Sequence, residues 1–141
     1  TEEDFEELRS FVEWAEFDHV GVFLYSPEDG TRSAGLGDPV DPEVAKARYE
    51  ALMETQRPLS RERLELRVGT ELDVLVEGLP GETDLLLEGR HSRQAPEVDG
   101  VVYINEGQAE AGRIHRVRIT QAMDHDLVGG LVVLVEHDES I

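Results

Sequence analysis

From Val68 onward apolar and polar residues change places at nearly every step, whereas before Val68 the apolar residues recur at intervals of three and four. Two kinds of regular structure therefore divide the chain. In the first part Phe5, Leu8, Val12 and Ala15 share one helical face, Thr1 stands as an N-cap with Asp4 three residues on, and the first turn is acidic. This predicts a helix over residues 2–16 whose charges suit its macrodipole. A second helix is predicted from Asp41 as N-cap and Pro42 in the first turn, through Ala45, Tyr49, Leu52 and Met53. Pro58 lacks an amide proton and is expected to kink or end that helix near Arg57.

Between the helices, Val20-Gly21-Val22-Phe23-Leu24-Tyr25 is apolar on both faces, the pattern of a strand covered on both sides in a parallel α/β sheet. One such strand between two helices makes no stable sheet. Residues 1 to about 62 therefore read as the tail of a larger α/β domain. The carboxyl end of a strand in an α/β barrel is where ligands bind, which makes Phe23, Tyr25 and Ser26 candidates to touch a cofactor, or else simple packing residues.

The second part reads as five short strands. Leu72, Val74 and Val76 alternate with Glu71, Asp73 and Glu77; Pro80-Gly81 supplies a turn; Leu85 and Leu87 open a strand that reaches Arg90. Val101 to Ile104 is the third strand, and Gly107 and Gly112 bracket a loop before the fourth. There His115, Val117 and Ile119 face one way and Arg116 and Arg118 the other, and Leu127 to Val135 is the fifth, with Gly129-Gly130 as a bulge or bend. Strands of this number and length predict a small closed OB-like barrel without open edges. The fold class expected is α+β, with a boundary that separates residues 1–65 from residues 66–141.

Composition narrows the chemistry. The formal charge is −19, from 32 acidic against 13 basic residues, and phosphate binding needs clustered cations, so general nucleic-acid affinity is not expected. Basic partners suit such a field, although Lys46 is the sole lysine and a composition bias toward solubility or salt is the plainer reading. The absence of cysteine removes disulfides and thiolate ligands for zinc or iron–sulfur clusters. No apolar run approaches the length of a membrane span and no signal peptide is evident, which leads to the expectation of a cytoplasmic protein. His19, His91, His115, His125 and His137 lack the spacing of a helical metal pair, and no metal site is expected. Asp124-His125-Asp126 reads as turn chemistry, and the chain has neither a phosphate-binding glycine loop nor a nucleophile elbow.

One stretch departs from this generic picture. After Gly89-Arg90 comes the polar segment His91-Ser92-Arg93-Gln94, then Ala95-Pro96-Glu97-Val98-Asp99-Gly100 and the apolar Val101-Val102-Tyr103. It resembles the TRAM domain of the ribosomal-protein methylthiotransferases, the RimO family. Leu75-Val76-Glu77-Gly78, Val117-Arg118-Ile119-Thr120 and Asp126-Leu127-Val128-Gly129 are similar to that family in the same order, and Val22 to Thr31 resembles the segment that closes its radical-SAM barrel. The resemblance implies that residues 1–65 are the last helix, strand and helix of such a barrel, and residues 66–141 a TRAM domain. It implies a parent enzyme with two 4Fe-4S clusters and S-adenosylmethionine that methylthiolates the β-carbon of an aspartate in the twelfth small-subunit ribosomal protein. The family usually has an aspartate where Gln94 stands, and its second helix normally runs on unbroken where this chain has Pro58.

In this reading the chain, inactive without the cluster cysteines, docks the basic ribosomal protein through Arg90, His91, Arg93, Gln94, Glu97 and Asp99, and no catalytic residue lies in it. Each of these has a structural alternative: Arg90 pairs across strands, and Asp99 caps the turn before Gly100. The alternative function is an RNA-binding module like that of the related transfer-RNA methylthiotransferases, with Arg90, Arg93, Arg113, Arg116 and Arg118 as a cationic patch. A purely structural acidic domain is the third reading. If the loop docks the protein, reversing Glu97 and Asp99 to Lys weakens binding to the ribosomal protein and flattens its salt dependence; unchanged affinity at low salt removes the loop from the site.

Overall fold

The structure is a computed structural model in which residues 1–37, 39–78, 86–96 and 98–133 are described. It divides into two compact units, Thr1–Ser60 and Arg61–Ile141.

The first unit is built on two helices. Helix α1, Glu2–Ala15, begins as its sequence predicts: the Thr1 hydroxyl accepts from the Asp4 amide and the Asp4 carboxylate reaches back, completing a capping box. Glu16 ends it in the left-handed conformation. Helix α2, Pro42–Glu65, starts where Asp41 Oδ1 accepts from the Glu43 amide at 2.9 Å. The helices are joined by Arg9 Nε donating to Thr55 Oγ1 at 3.0 Å, and by Arg48, which pairs with Glu2 at 3.1 Å and lies over the Phe5 ring.

One expectation fails in this unit and another is narrowed. Val20 to Tyr25 forms no strand, and Phe23 is 91% exposed. A strand needs a neighbour to take its amides and carbonyls, and among the described residues every strand belongs to the second unit. Of the kink or end expected at Pro58, the end does not occur, since α2 continues to Glu65 with Pro58 inside it. Internal proline costs about 3 kcal/mol. The turns beyond it are anchored: Ser60 is buried and donates to the Asp18 carbonyl at 2.8 Å, and Leu64 is 2% exposed.

The second unit is a closed barrel of five strands: β1 (Glu71–Gly78), β2 (Leu87–His91), β3 (Val102–Glu106), β4 (Ile114–Ala122) and β5 (Leu127–Leu131), in the order β1-β2-β3-β5-β4 with β4 paired back onto β1. All pairs are antiparallel except β3 with β5. The alternation expected from sequence holds: Val74, Val76, Val102, Ile104, Val117, Ile119 and Leu127 fill the interior with almost no exposure. The turn expected at Pro80-Gly81 and the start of the second strand at Leu85 lie outside the described residues, as do Leu134 and Val135 of the fifth. The irregularity expected at Gly129-Gly130 falls instead on their partners, where Asn105 of β3 and Thr120 of β4 are the extra residues in the ladder.

Leu64, from the end of α2, packs into the same core. The Gly69 amide then donates to the Ile119 carbonyl at 2.8 Å, and the Ile119 amide to Thr70 at 2.9 Å, which ties the segment after the helix to β4. Burial of a leucine on this scale predicts that Leu64→Ala destabilises the barrel by about 2–5 kcal/mol, read from urea unfolding. A chain starting at residue 61 is expected to melt well above one starting at residue 68; equal melting would refute a structural role for the helix end.

Candidate functional site

The segment between β2 and β3 is ordered by its own polar side chains. The His91 amide donates to Gln94 Oε1 at 3.1 Å, the Gln94 amide to the His91 carbonyl at 3.1 Å, and the Arg93 amide to His91 Nδ1 at 3.2 Å. The Nδ1 atom of the His91 ring thus serves as an acceptor for the loop backbone. His91 is 7% exposed and Gln94 3%. Of the docking candidates, then, these two face inward and shape the loop, and Gln94 Nε2 is buried without a partner.

The loop's second half is clamped to the turn before β5. Asp99 Oδ2 accepts from the Ala95 amide at 2.7 Å, which is the turn-capping alternative for that residue. One residue on, Asp126 Oδ1 accepts from the Val101 amide at 2.8 Å and the Leu127 amide donates to the Val101 carbonyl at 3.0 Å. The chains run so close that a Cβ on Gly100 would lie 1.7 Å from the His125 carbonyl oxygen. Asp124-His125-Asp126 is therefore a structural turn in part: Asp126 holds Val101, and Asp124 pairs with Arg61 at 3.3 Å. The Arg61 guanidinium is pushed above its ordinary range, first by its hydrogen bond to Glu65 and then by the charges of Glu65 and Asp124.

Outside the barrel the charged side chains meet in pairs. Arg90 Nε donates to Glu77 Oε1 at 2.8 Å, Arg116 pairs with Asp73 at 3.2 Å, Arg118 with Glu71 at 2.6 Å, and Arg113 with Glu110 at 2.9 Å. The Asp73 and Glu71 pairs link residues directly opposite across β1 and β4. Arg93 is exposed on the loop, and Glu97 lies outside the described residues.

A groove of about 380 Å³ opens where β1, β2 and the loop meet, lined by Glu77, Glu88, Arg90, Asp99 and the apolar surfaces of Ala95, Pro96 and Val101. It brings Arg90 and Asp99 together, with Glu77 and Glu88, which sequence reasoning did not single out. Alternation on β2 was the available signal: Gly89 and His91 point inward, which turns Glu88 and Arg90 outward beside the loop. In the first unit Tyr25 lines a hollow of about 800 Å³ with Leu24, Pro27, Pro39 and Val40, while Phe23 and Ser26 are exposed and do not line it. Among the described residues no group of His, Asp and Glu is arranged to hold a metal ion.

A five-stranded closed barrel with a loop so braced defines a small OB-like β-barrel domain. Residues 68–132 match the family model described as TRAM domain. The chain is 50% identical over 133 residues to the ribosomal protein uS12 methylthiotransferase RimO of Bdellovibrio bacteriovorus, 50% over 132 residues to that of Sorangium cellulosum, and 52% over 132 residues to that of Syntrophobacter fumaroxidans. Each alignment covers 94% of this chain and 29%, 27% and 30% of the relative. The chain thus belongs to the RimO family as a carboxyl-terminal part of it, and spans under a third of the length of the curated relatives it matches.

The close approach at Gly100 yields a prediction. Gly100→Ala forces the backbone of His125 away and breaks the Asp126 clamp, at a cost of about 1–3 kcal/mol in thermal or urea unfolding. A melting temperature unchanged from the parent chain would show that the two segments are not held as described.

Proposed function

We propose that the chain is the part of a uS12 methylthiotransferase that docks the ribosomal protein through its TRAM barrel, and that its first unit supplies the last elements of the radical-SAM barrel. The observation that carries the docking reading is the state of the barrel's cations, taken with the identity of about one residue in two along nearly the whole chain. Arg61, Arg90, Arg113, Arg116 and Arg118 are all ion-paired with carboxylates. Guanidinium groups held in this way are neutralised locally and offer little to phosphate. Residues 67–141 carry fifteen acids against six arginines, net −9. Such a field attracts a basic ribosomal protein and repels RNA.

The barrel-closing role has its own support. Phe23, Tyr25 and Leu24 are apolar yet exposed, and Trp14 and Leu36 are 80% and 82% exposed. Apolar surface of this extent suits burial against further polypeptide. In the parent enzyme two iron–sulfur clusters and S-adenosylmethionine supply the radical chemistry. This chain's donors do not fit a cluster, since it has no cysteine, so we assign no reaction step to its residues. The part alone is expected to be inactive and its parent cytoplasmic; among the described residues no helix is long and apolar enough to cross a membrane.

The test is a titration of purified uS12, and separately of a transfer-RNA anticodon stem, into this chain at two salt concentrations. Binding of uS12 alone, weakening as salt rises, is the expected result. Binding of the RNA alone would transfer the chain to the transfer-RNA branch, and binding of neither would remove substrate docking from this part of the enzyme.

A further inference from the structure

Resting on the docking reading above, we infer that the groove at the junction of β1, β2 and the loop is an anchor for one cationic side chain, an arginine or lysine of the protein partner, and that Glu88 is its counter-ion. The groove's polar groups differ in what they already hold. Glu77 is occupied by Arg90, and one oxygen of Asp99 by the Ala95 amide. Glu88 is half-buried, and among the described residues it makes neither a side-chain hydrogen bond nor an ion pair. Carboxylates removed from water are ordinarily paired, because desolvation without a partner costs free energy. A partnerless carboxylate in the wall of a groove is a position whose partner comes from outside.

The rest of the lining selects the kind of partner. Among the described lining residues three carboxylates stand against one guanidinium, and the guanidinium is turned onto Glu77, so the lining favours a cationic guest over an anionic one. Ala95, Pro96 and Val101 give an apolar wall along which the methylene stem of a long cationic side chain packs while its head stays polar. The site is also built in advance. Pro96 fixes its own φ, and Gly100 and Val101 are held by the turn at Asp126, so little ordering is lost on binding.

The experiment measures binding of uS12 to three forms of this chain: parent, Glu88→Gln and Glu106→Gln. The last removes the same charge from an exposed carboxylate outside the groove and so corrects for the long-range field. The proposal expects Glu88→Gln to weaken binding by about five- to tenfold and Glu106→Gln by less than about twofold, with melting temperatures alike. It further expects that one Lys→Glu or Arg→Glu change among single reversals of uS12 loses binding to the parent and recovers it with Glu88→Lys. Equal small effects of the two glutamine variants would overturn the groove and leave docking standing. Absence of uS12 binding by the parent chain would overturn the docking reading and the groove with it, as would an RNA stem bound more tightly by Glu88→Gln than uS12 is.

Discussion

Everything in the barrel depends on the return of β4 onto β1. With that pairing each strand has two neighbours and no edge is left to template another chain. It also fixes register. Val74 lies opposite His91 on one side and His115 on the other, so the inward layer is set by three strands at once. Slipping β1 by one residue would turn Glu71, Asp73 and Glu77 into the core and Val74 and Val76 into water. Burial therefore determines which carboxylates stand outside, and the same register brings Glu71 to Arg118 and Asp73 to Arg116. The ion pairs are a consequence of closure more than a cause of it, because exposed pairs contribute little by themselves.

Closure likewise explains why the loop after β2 is so firmly built. His91 is the last residue of β2 and already inside, so the chain must turn away at once while its polar groups are being buried. Gln94 Oε1 and the two hydrogen bonds between His91 and Gln94 meet that demand for the backbone, and the Asp126 clamp then carries the chain into β3. The exposed side of the same loop becomes a wall of the groove, which is why its shape is inherited from the core.

The parts legible in the sequence were those set by neighbours along the chain. Thr1 and Asp4 announced the first helix, and the period of two from Leu72 to Val76 and from His115 to Ile119 announced the barrel. What eluded the sequence was set by contacts remote along the chain. The apolar run Val20 to Tyr25 has the composition of a covered strand, yet composition cannot supply the hydrogen-bonding neighbour. Pro58 was read locally, whereas the burial of Ser60 and Leu64 beyond it decides the matter. His91 and Gln94 were polar residues in a polar stretch, and only the closeness of the turn shows them buried. Glu88 was hidden for the opposite reason: beside Leu87 and Gly89 it reads as the ordinary outward residue of a strand, and its want of a partner is visible only in three dimensions.

The balance between long-range charge and local pairing decides what such a barrel recognises. Net charge acts over a Debye length, about 8 Å at physiological salt, and selects the sign of whatever approaches. At contact, however, the ion pairs of β1 with β4 are satisfied and have little to gain from a partner's charges. Specific contact falls to groups that closure exposes without pairing them, and in the groove that group is Glu88. An acidic surface made wholly of satisfied pairs would attract many basic chains and prefer none. A single half-buried carboxylate beside an apolar wall discriminates, because it rewards a long cationic side chain at one position and leaves a desolvated charge when any other is offered.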